Sequence, residues 1–283
     1  MTTLSFTSDA ARRLESLYMT RDVVSQRAAT LEQLGLSAGE SILDVGSGPG
    51  FLAESIADSV GSSGRVVGVD ISHDLVARST RRNGRSWLSF RTADATALDE
   101  PDVAYDAVVC TQVAEYIADV DAVVSEVGRV LKPGGRCVFV ATDWDGVIWH
   151  SGNPERMSRI MRSWEAHCAH PRLPRSFKSR LARAGLRFQG ATVFPILNLT
   201  WDDDSYSKGL SALIRDFVGS QGGIDAGAVS SWYDELGELS DSGHYFFSSA
   251  RFIFCGSKPD SALEASKSAA GSTLPLEASW PAD

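Results

Sequence analysis

The stretch Ser41-Ile-Leu-Asp44-Val-Gly46-Ser-Gly48-Pro-Gly50 decides how this chain is read. Ile42, Leu43 and Val45 give it the apolar character of a buried strand. Three glycines at alternate positions follow, and a backbone without side chains lets a ligand come close. From Phe51 to Val60, residues Leu52, Ile56 and Val60 fall on one helical stripe. A strand, a bare loop and a helix in that order form the unit at which α/β proteins hold nucleotide-like ligands.

The spacing narrows the ligand. A dinucleotide loop reads G-x-G-x-x-G and would put its third glycine at position 51. Phe51 stands there instead. Asp44 also lies two positions before the first glycine, where a pyrophosphate would otherwise sit. A carboxylate there disfavours phosphate and favours a ligand with an ammonium group. S-adenosylmethionine has that ammonium and no phosphate. The pattern resembles motif I of the class I S-adenosylmethionine-dependent methyltransferases.

Later segments extend the resemblance. Arg65-Val-Val-Gly-Val69-Asp70 is a second short strand closed by an acid, 20 residues after Gly50, near the offset of roughly 20 expected of a ribose-binding carboxylate. Ile71 can lie against an adenine face. Ser89-Phe-Arg-Thr-Ala93-Asp94-Ala95 reads as a third strand, with Asp94 placed to accept from the adenine amino group. Tyr105-Asp-Ala-Val-Val-Cys110 is a fourth, continuing into Thr111-Gln112-Val-Ala-Glu115-Tyr116. A helix with Val120, Val123, Val124, Val127 and Val130 on one face leads to Leu131-Lys-Pro-Gly-Gly135, a helix stop before the strand 136–141.

The resemblance covers roughly residues 37–145 and is strongest to the small-molecule branch typified by quinone C-methyltransferases. It implies a doubly wound, mostly parallel seven-stranded sheet with an antiparallel last strand. A helical lid (1–36) would precede the Rossmann-like core (37–145). A helical cap with the strands completing the sheet (146–258) and a disordered tail (259–283) would follow. The implied cofactor is S-adenosyl-L-methionine, held by Asp44, Gly46, Gly48, Gly50, Asp70, Ile71, Asp94, Ala95 and Gln112. Many relatives carry Glu-His after the fourth strand where this chain has Glu115-Tyr116, so no role transfers for that histidine.

Composition bounds the function from another side. The 283 residues are 43% hydrophobic with a net charge of −9, which disfavours general attraction to nucleic acid. No run approaches the 18 or so apolar residues of a membrane span, and no basic-then-apolar leader opens the chain, so a cytoplasmic location is expected. Cys110, Cys137, Cys168 and Cys255 lack C-x-x-C spacing and read as buried thiols rather than a metal site.

Residues 9–36 are helical by pattern, with Leu14 and Leu17 on one turn and Val24, Ala28 and Leu31 on another; Tyr18, Met19 and Arg21 are candidates to approach the acceptor or the methionine carboxylate. After the fifth strand, Thr142-Asp-Trp144-Asp145-Gly-Val-Ile-Trp149-His150 sits where α/β folds bind ligands. Helices are expected from Asn153-Pro154 to about His167, over 176–184, 203–220 and 227–240, and strands over 187–197 and 244–255. Nine Lys or Arg fall between Asn153 and Arg187, against Glu155 and Glu165. This reads either as solvated helix faces or as a basic mouth for an anionic acceptor, with Arg172 and Arg175 as anchors.

Methyl transfer from a sulfonium is an in-line displacement in which the protein mainly aligns and excludes water. A base is needed only where the acceptor atom starts protonated. His150 is the favoured candidate, with Tyr116, His167, Asp145 and Tyr18 beside it. Trp144, Trp149 and Trp164 form either a core or a cage for a flat or cationic acceptor. The acceptor would be a small molecule, methylated at O, N or C. The alternatives are a nicotinamide-dependent oxidoreductase, disfavoured by Phe51, and a cofactor-binding protein of this fold that transfers no methyl group.

Overall fold

Strand pairing in the computed structural model, which describes residues 8–260, grows outward from the quoted stretch. β1 (Ser41–Val45) lies between β2 (Arg65–Asp70) and β4 (Tyr105–Thr111), with β3 (Leu88–Thr92) beyond β2 and β5 (Leu131–Thr142) beyond β4, all parallel. β8 (Phe247–Ser257) runs antiparallel to β5, and β7 (Arg187–Asn198) pairs antiparallel along the far side of β8. The order 3-2-1-4-5-8-7 is the expected mostly parallel, seven-stranded sheet. A two-residue strand, β6 (Ile148–Trp149), pairs with the start of β8 as an eighth. Two residues carry no periodicity, so sequence pattern could not signal it. Of the tail expected from 259 onward, residues 261–283 lie outside the described residues, as do residues 1–7 of the lid.

Alternation along the strands assigns the two faces. Leu43, Val45, Val67 and Val69 point to the face covered by α5 (Val120–Val130) and α7 (Phe177–Arg183). Ile42 and Val66 point to the other, packed by α3 (Phe51–Val60) and the end of α2 (Arg21–Leu34). All five expected valines of α5 are buried, each worth roughly 1.5–3 kcal/mol of transfer free energy. Asp119, Ser72 and Asn153 cap α5, α4 (His73–Arg82) and α6 (Pro154–Trp164) through their side-chain oxygens.

A separate apolar cluster joins lid to cap. Leu17 of α1 (Ser8–Tyr18) and Val23 of α2 meet Trp164 of α6, Phe217 of α8 (Tyr206–Gln221) and Trp232 of α9 (Ala226–Asp241). Arg156 of α6, in the basic segment, pairs with Glu235 of α9 at 2.5 Å.

The helical pattern noted at Val24, Ala28 and Leu31 belongs to α2, whose buried positions are Val23, Gln26, Thr30 and Leu34, while Val24 is 40% exposed. The helix turns a face bearing polar groups inward because that face lines a cavity.

Candidate cofactor and acceptor site

In-register parallel pairing brings four strand ends to one edge. Val45 lies opposite Val69 and Cys110, Asp70 opposite Thr92, and Thr111 opposite Val140. The glycine loop leaves β1 here. Gly46 and Ser47 both donate to the Val69 carbonyl, at 2.7 and 2.8 Å, which docks the loop on β2. Gly46, Gly48 and Gly50 all have positive φ, the backbone region that favours glycine. A Cβ at Gly46 would lie 2.2 Å from Val113 and one at Gly50 2.8 Å from Phe90, whereas at Gly48 it would meet nothing within 4 Å. Two of the glycines therefore make room for the protein's own side chains, and Gly48 faces open space.

Period-2 alternation puts Asp44 on the α3 face of the sheet, beneath that loop. It is 1% exposed and its Oδ2 has no hydrogen-bond partner. Burial, reinforced by the nearby Asp70 charge, pushes its carboxyl up to about 7. Asp70 ends β2, accepting from Gly48 N–H on one oxygen and Ser72 N–H on the other, each at 2.8 Å. Each carboxylate oxygen keeps a lone pair for a ribose hydroxyl.

The remaining expected cofactor residues follow along the same edge. Ile71 is 68% exposed. Asp94 is exposed and takes both the N–H and the hydroxyl of Thr96 on one oxygen, while Ala95 packs partly against the core. Gln112 holds a positive φ of 55°, uncommon for a residue with a side chain and concentrated at functional sites. Its Oε1 accepts from the Thr142 hydroxyl and from Arg251, and its Nε2 is buried without a partner.

Between α2 and the loop lies a small cavity of about 30 Å³, lined by Tyr18, Gln26, Arg27, Thr30, Asp44, Ser47 and Thr111 among others. Asp44 Oδ2, Ser47 Oγ and Thr111 Oγ1, all on this cavity, are buried polar atoms with no partner. Unsatisfied buried polar atoms are rare and costly. Three around one cavity mark a ligand that supplies the missing bonds, and an ammonium facing Asp44 is the fitting partner. Arg27 closes the corner above by donating to the Tyr18 carbonyl at 2.7 Å and reaching over the Phe51 ring.

Comparison with known proteins agrees. A family profile described as a methyltransferase domain matches residues 43–139. The chain belongs to the class I S-adenosylmethionine-dependent methyltransferase superfamily. It is 38% identical over 136 residues to a demethylmenaquinone methyltransferase of Beutenbergia cavernae, covering 46% of this chain and 53% of that one. An uncharacterized 37.1 kDa protein in transposon TN4556 of Streptomyces fradiae is 30% identical over 234 residues, 81% of this chain and 66% of that one. The chain thus spans between about half and two thirds of these relatives' own length. Among solved structures, phosphoethanolamine N-methyltransferase 2 of Haemonchus contortus with S-adenosyl-L-methionine superposes with a TM-score of 0.59 at 19% identity, over 90% of this chain and 58% of that one. The [4+2]-cyclase SpnF superposes at 0.55 with 22% identity, over 84% and 82%. These two likenesses speak to the fold alone.

In this methyltransferase-superfamily chain the expected acceptor residues scatter. Arg21 is occupied by acids before α8, its backbone N–H on Asp204 and its guanidinium near Asp202 and Asp204. Arg172 and Arg175 bind Asp143, Asp145 and Glu165 at 2.6–3.1 Å, so the basic mouth is largely neutralised by its own strand-end acids. Trp144 packs edge-on to Trp164 and His167, and Trp149 to Trp232 and Phe247. Both are core rather than cage. His150 is exposed and lines a different groove, between the β6 segment and α6, which contains none of the glycine-loop residues. The structure therefore does not bring His150 to the methyl donor. His167 stacks on Trp164, and burial holds its imidazole down to about 4.

Tyr18 and Tyr116 do converge. Dense protein around the hydroxyls raises both phenols, Tyr18 up to about 12, although Tyr116 keeps 37% of its surface exposed, and Tyr18 feels the charges of Arg251, Asp70 and Glu115 together. Two of those charges, Glu115 and Arg251, are not among the site residues expected from the sequence. Glu115 and Arg251 are 0% and 3% exposed. A signal for Arg251 existed: it shares the inward register of β8 with Phe247, Ser249 and Ile253, all buried. A charge at an inward strand position is kept for a reason.

Proposed function

We propose that this protein transfers a methyl group from S-adenosyl-L-methionine to a small-molecule acceptor, at an O, N or C atom, in the cytoplasm and without a nucleic-acid partner. The observation that carries the reading is the strand-end cradle. A buried Asp44 carboxylate with one unpartnered oxygen and the Gly46 turn line one cavity, and the Asp70 carboxylate, braced by two backbone N–H groups, lies at the neighbouring strand end beside Gly48, where a Cβ would meet nothing. In that cradle Asp44 would hold the ammonium, Asp70 the ribose hydroxyls, Ile71 an adenine face and Asp94 the adenine amino group. The bound sulfonium supplies an already activated methyl group, and its sulfur keeps the electron pair of the bond that breaks. The chain's contribution is to align that methyl with the acceptor and keep water out. Tyr18, on the cavity wall, and the nearby Tyr116 would contribute to that alignment. The relatives named for quinone methylation favour a flat, largely apolar acceptor over a macromolecule.

The test is transfer of an isotopically labelled methyl group from S-adenosylmethionine into pooled metabolites, sorted by charge and aromaticity. Label in a discrete product, absent with Asp70→Ala, is expected. A chain that binds S-adenosylhomocysteine yet labels nothing would refute methyl transfer and favour a role without it, as for the cyclase that shares the fold.

A further inference from the structure

Glu115 and Arg251 are opposite charges buried beside each other without touching. The carboxylate oxygens of Glu115 have no hydrogen-bond partner, and Arg251 Nε has none either. The two lie within electrostatic reach, yet form no ion pair within 4 Å. Burying either charge alone costs several kcal/mol, which direct contact would partly offset. The fold instead pins Arg251 elsewhere: its Nη1 donates to Gln112 Oε1 and Thr142 Oγ1, and its guanidinium lies 4.6 Å from the Tyr206 ring centre. That leaves Arg251 Nε and Gln112 Nε2 as unpaired donors and Glu115 as an unpaired acceptor.

We propose that these unpaired groups frame the acceptor subsite of the methyl-transfer reaction. It would take an uncharged flat ring whose enol or phenol hydroxyl gives its proton to Glu115, while an adjacent carbonyl oxygen accepts from Arg251 Nε and Gln112 Nε2. The proposal rests on the methyltransferase reading above. The subsite's own formal charges cancel, so an uncharged guest completes both without adding a buried charge. Aromatic walls suit a ring: Tyr18, Tyr116 and Tyr206 are mutually close, and Tyr18 also senses Asp70 of the cofactor cradle. As the acceptor's electron pair forms the new bond to methyl carbon, its hydroxyl proton passes to Glu115 and leaves from there to solvent on product release. Glu115 is suited to that exchange, since burial lifts its carboxyl to about 7 against the lowering pull of Arg251 and of nearby backbone N–H groups. The other titratable groups facing it are Tyr18 from α1, Tyr116 beside it, Cys110 from β4 and Cys168 after α6. Glu115 is sealed from solvent, so entry of the acceptor requires the side chains around it to move.

The probe is 3-hydroxy-2-methyl-4-pyranone, an enol beside a carbonyl, titrated by calorimetry into the full chain preloaded with S-adenosylhomocysteine. Binding is expected to weaken at least about tenfold with the same ring lacking the hydroxyl, with benzoate, and in Glu115→Gln and Arg251→Lys. Affinity for S-adenosylhomocysteine should stay within about twofold in both variants, a readout a folding defect would not leave intact. Equal binding of the pyranone to wild type and Glu115→Gln, a preference for benzoate, or no pyranone binding by a chain that does bind S-adenosylhomocysteine overturns this inference alone. Failure of wild type to bind S-adenosylhomocysteine removes the methyltransferase reading beneath it.

Discussion

Asp44 carries a carboxylate into the sheet where water does not reach, and that placement ties stability to pH. Its carboxyl moves from the usual 3.8 up to about 7, first through burial and then through Asp70. The folded chain therefore holds a proton that the unfolded chain releases between about pH 4 and 7. The stability contributed by this group is full below that window, declines as pH rises through it and is flat above. Asp44→Asn should therefore gain on wild type by at least about 2 kcal/mol between pH 4 and 8 in urea denaturation, at 1.4 kcal/mol per unit. His167, held down to about 4, acts oppositely and loses stability as pH falls from 6.5, which is why the difference between variant and wild type is the quantity to measure. The glycines separate in the same way. Gly46→Ala combines a positive φ with a 2.2 Å overlap on Val113 and should cost about 2–5 kcal/mol. Gly48→Ala meets open space and should cost only about 1–2 kcal/mol, yet weaken cofactor binding; equal denaturation midpoints for the two variants would contradict this division.

Among elements, the strands and the lid were unequally legible. β1, β2 and β4 declare themselves by apolar runs, β3 by its place before Asp94, and the loop by its glycines, so the strands that frame the candidate cofactor site are legible in the sequence. The lid helix is not. A reader of α2 expects the apolar stripe inward, but this helix buries Gln26 and Thr30 because the cavity wants polar walls. His150 and Trp149 misled for another reason: β6 is too short to have a pattern, and its pairing with Phe247 and Ser248 carries the chain to a separate groove. Glu115 and Arg251 belong to elements far apart in sequence, and only the pairing of β8 with β5 brings Arg251 to Thr142. For the lid, Arg27 is the fastening between the two N-terminal helices, through the Tyr18 carbonyl and Phe51. Arg27→Met should speed amide hydrogen exchange across residues 8–18 by roughly tenfold or more while leaving β1 and β4 protected. Uniform acceleration across the chain would instead mean global destabilisation.

For the whole molecule, the sheet collects four strand ends at one edge, and the cap shares an apolar core with the N-terminal helices that border them. No helix among the described residues is long and apolar enough to cross a membrane. A ligand that binds only the folded chain should stabilise it by about 2.7 kcal/mol at a hundredfold excess over Kd. A rise in thermal midpoint of several degrees with S-adenosylhomocysteine is therefore expected, and none with NADH. The most direct test is calorimetric titration of the full chain with S-adenosylhomocysteine beside Asp70→Ala. Saturable one-site binding by wild type, weakened at least about tenfold in the variant, is the predicted result; an absence of binding by wild type, or equal affinity in both, would contradict it.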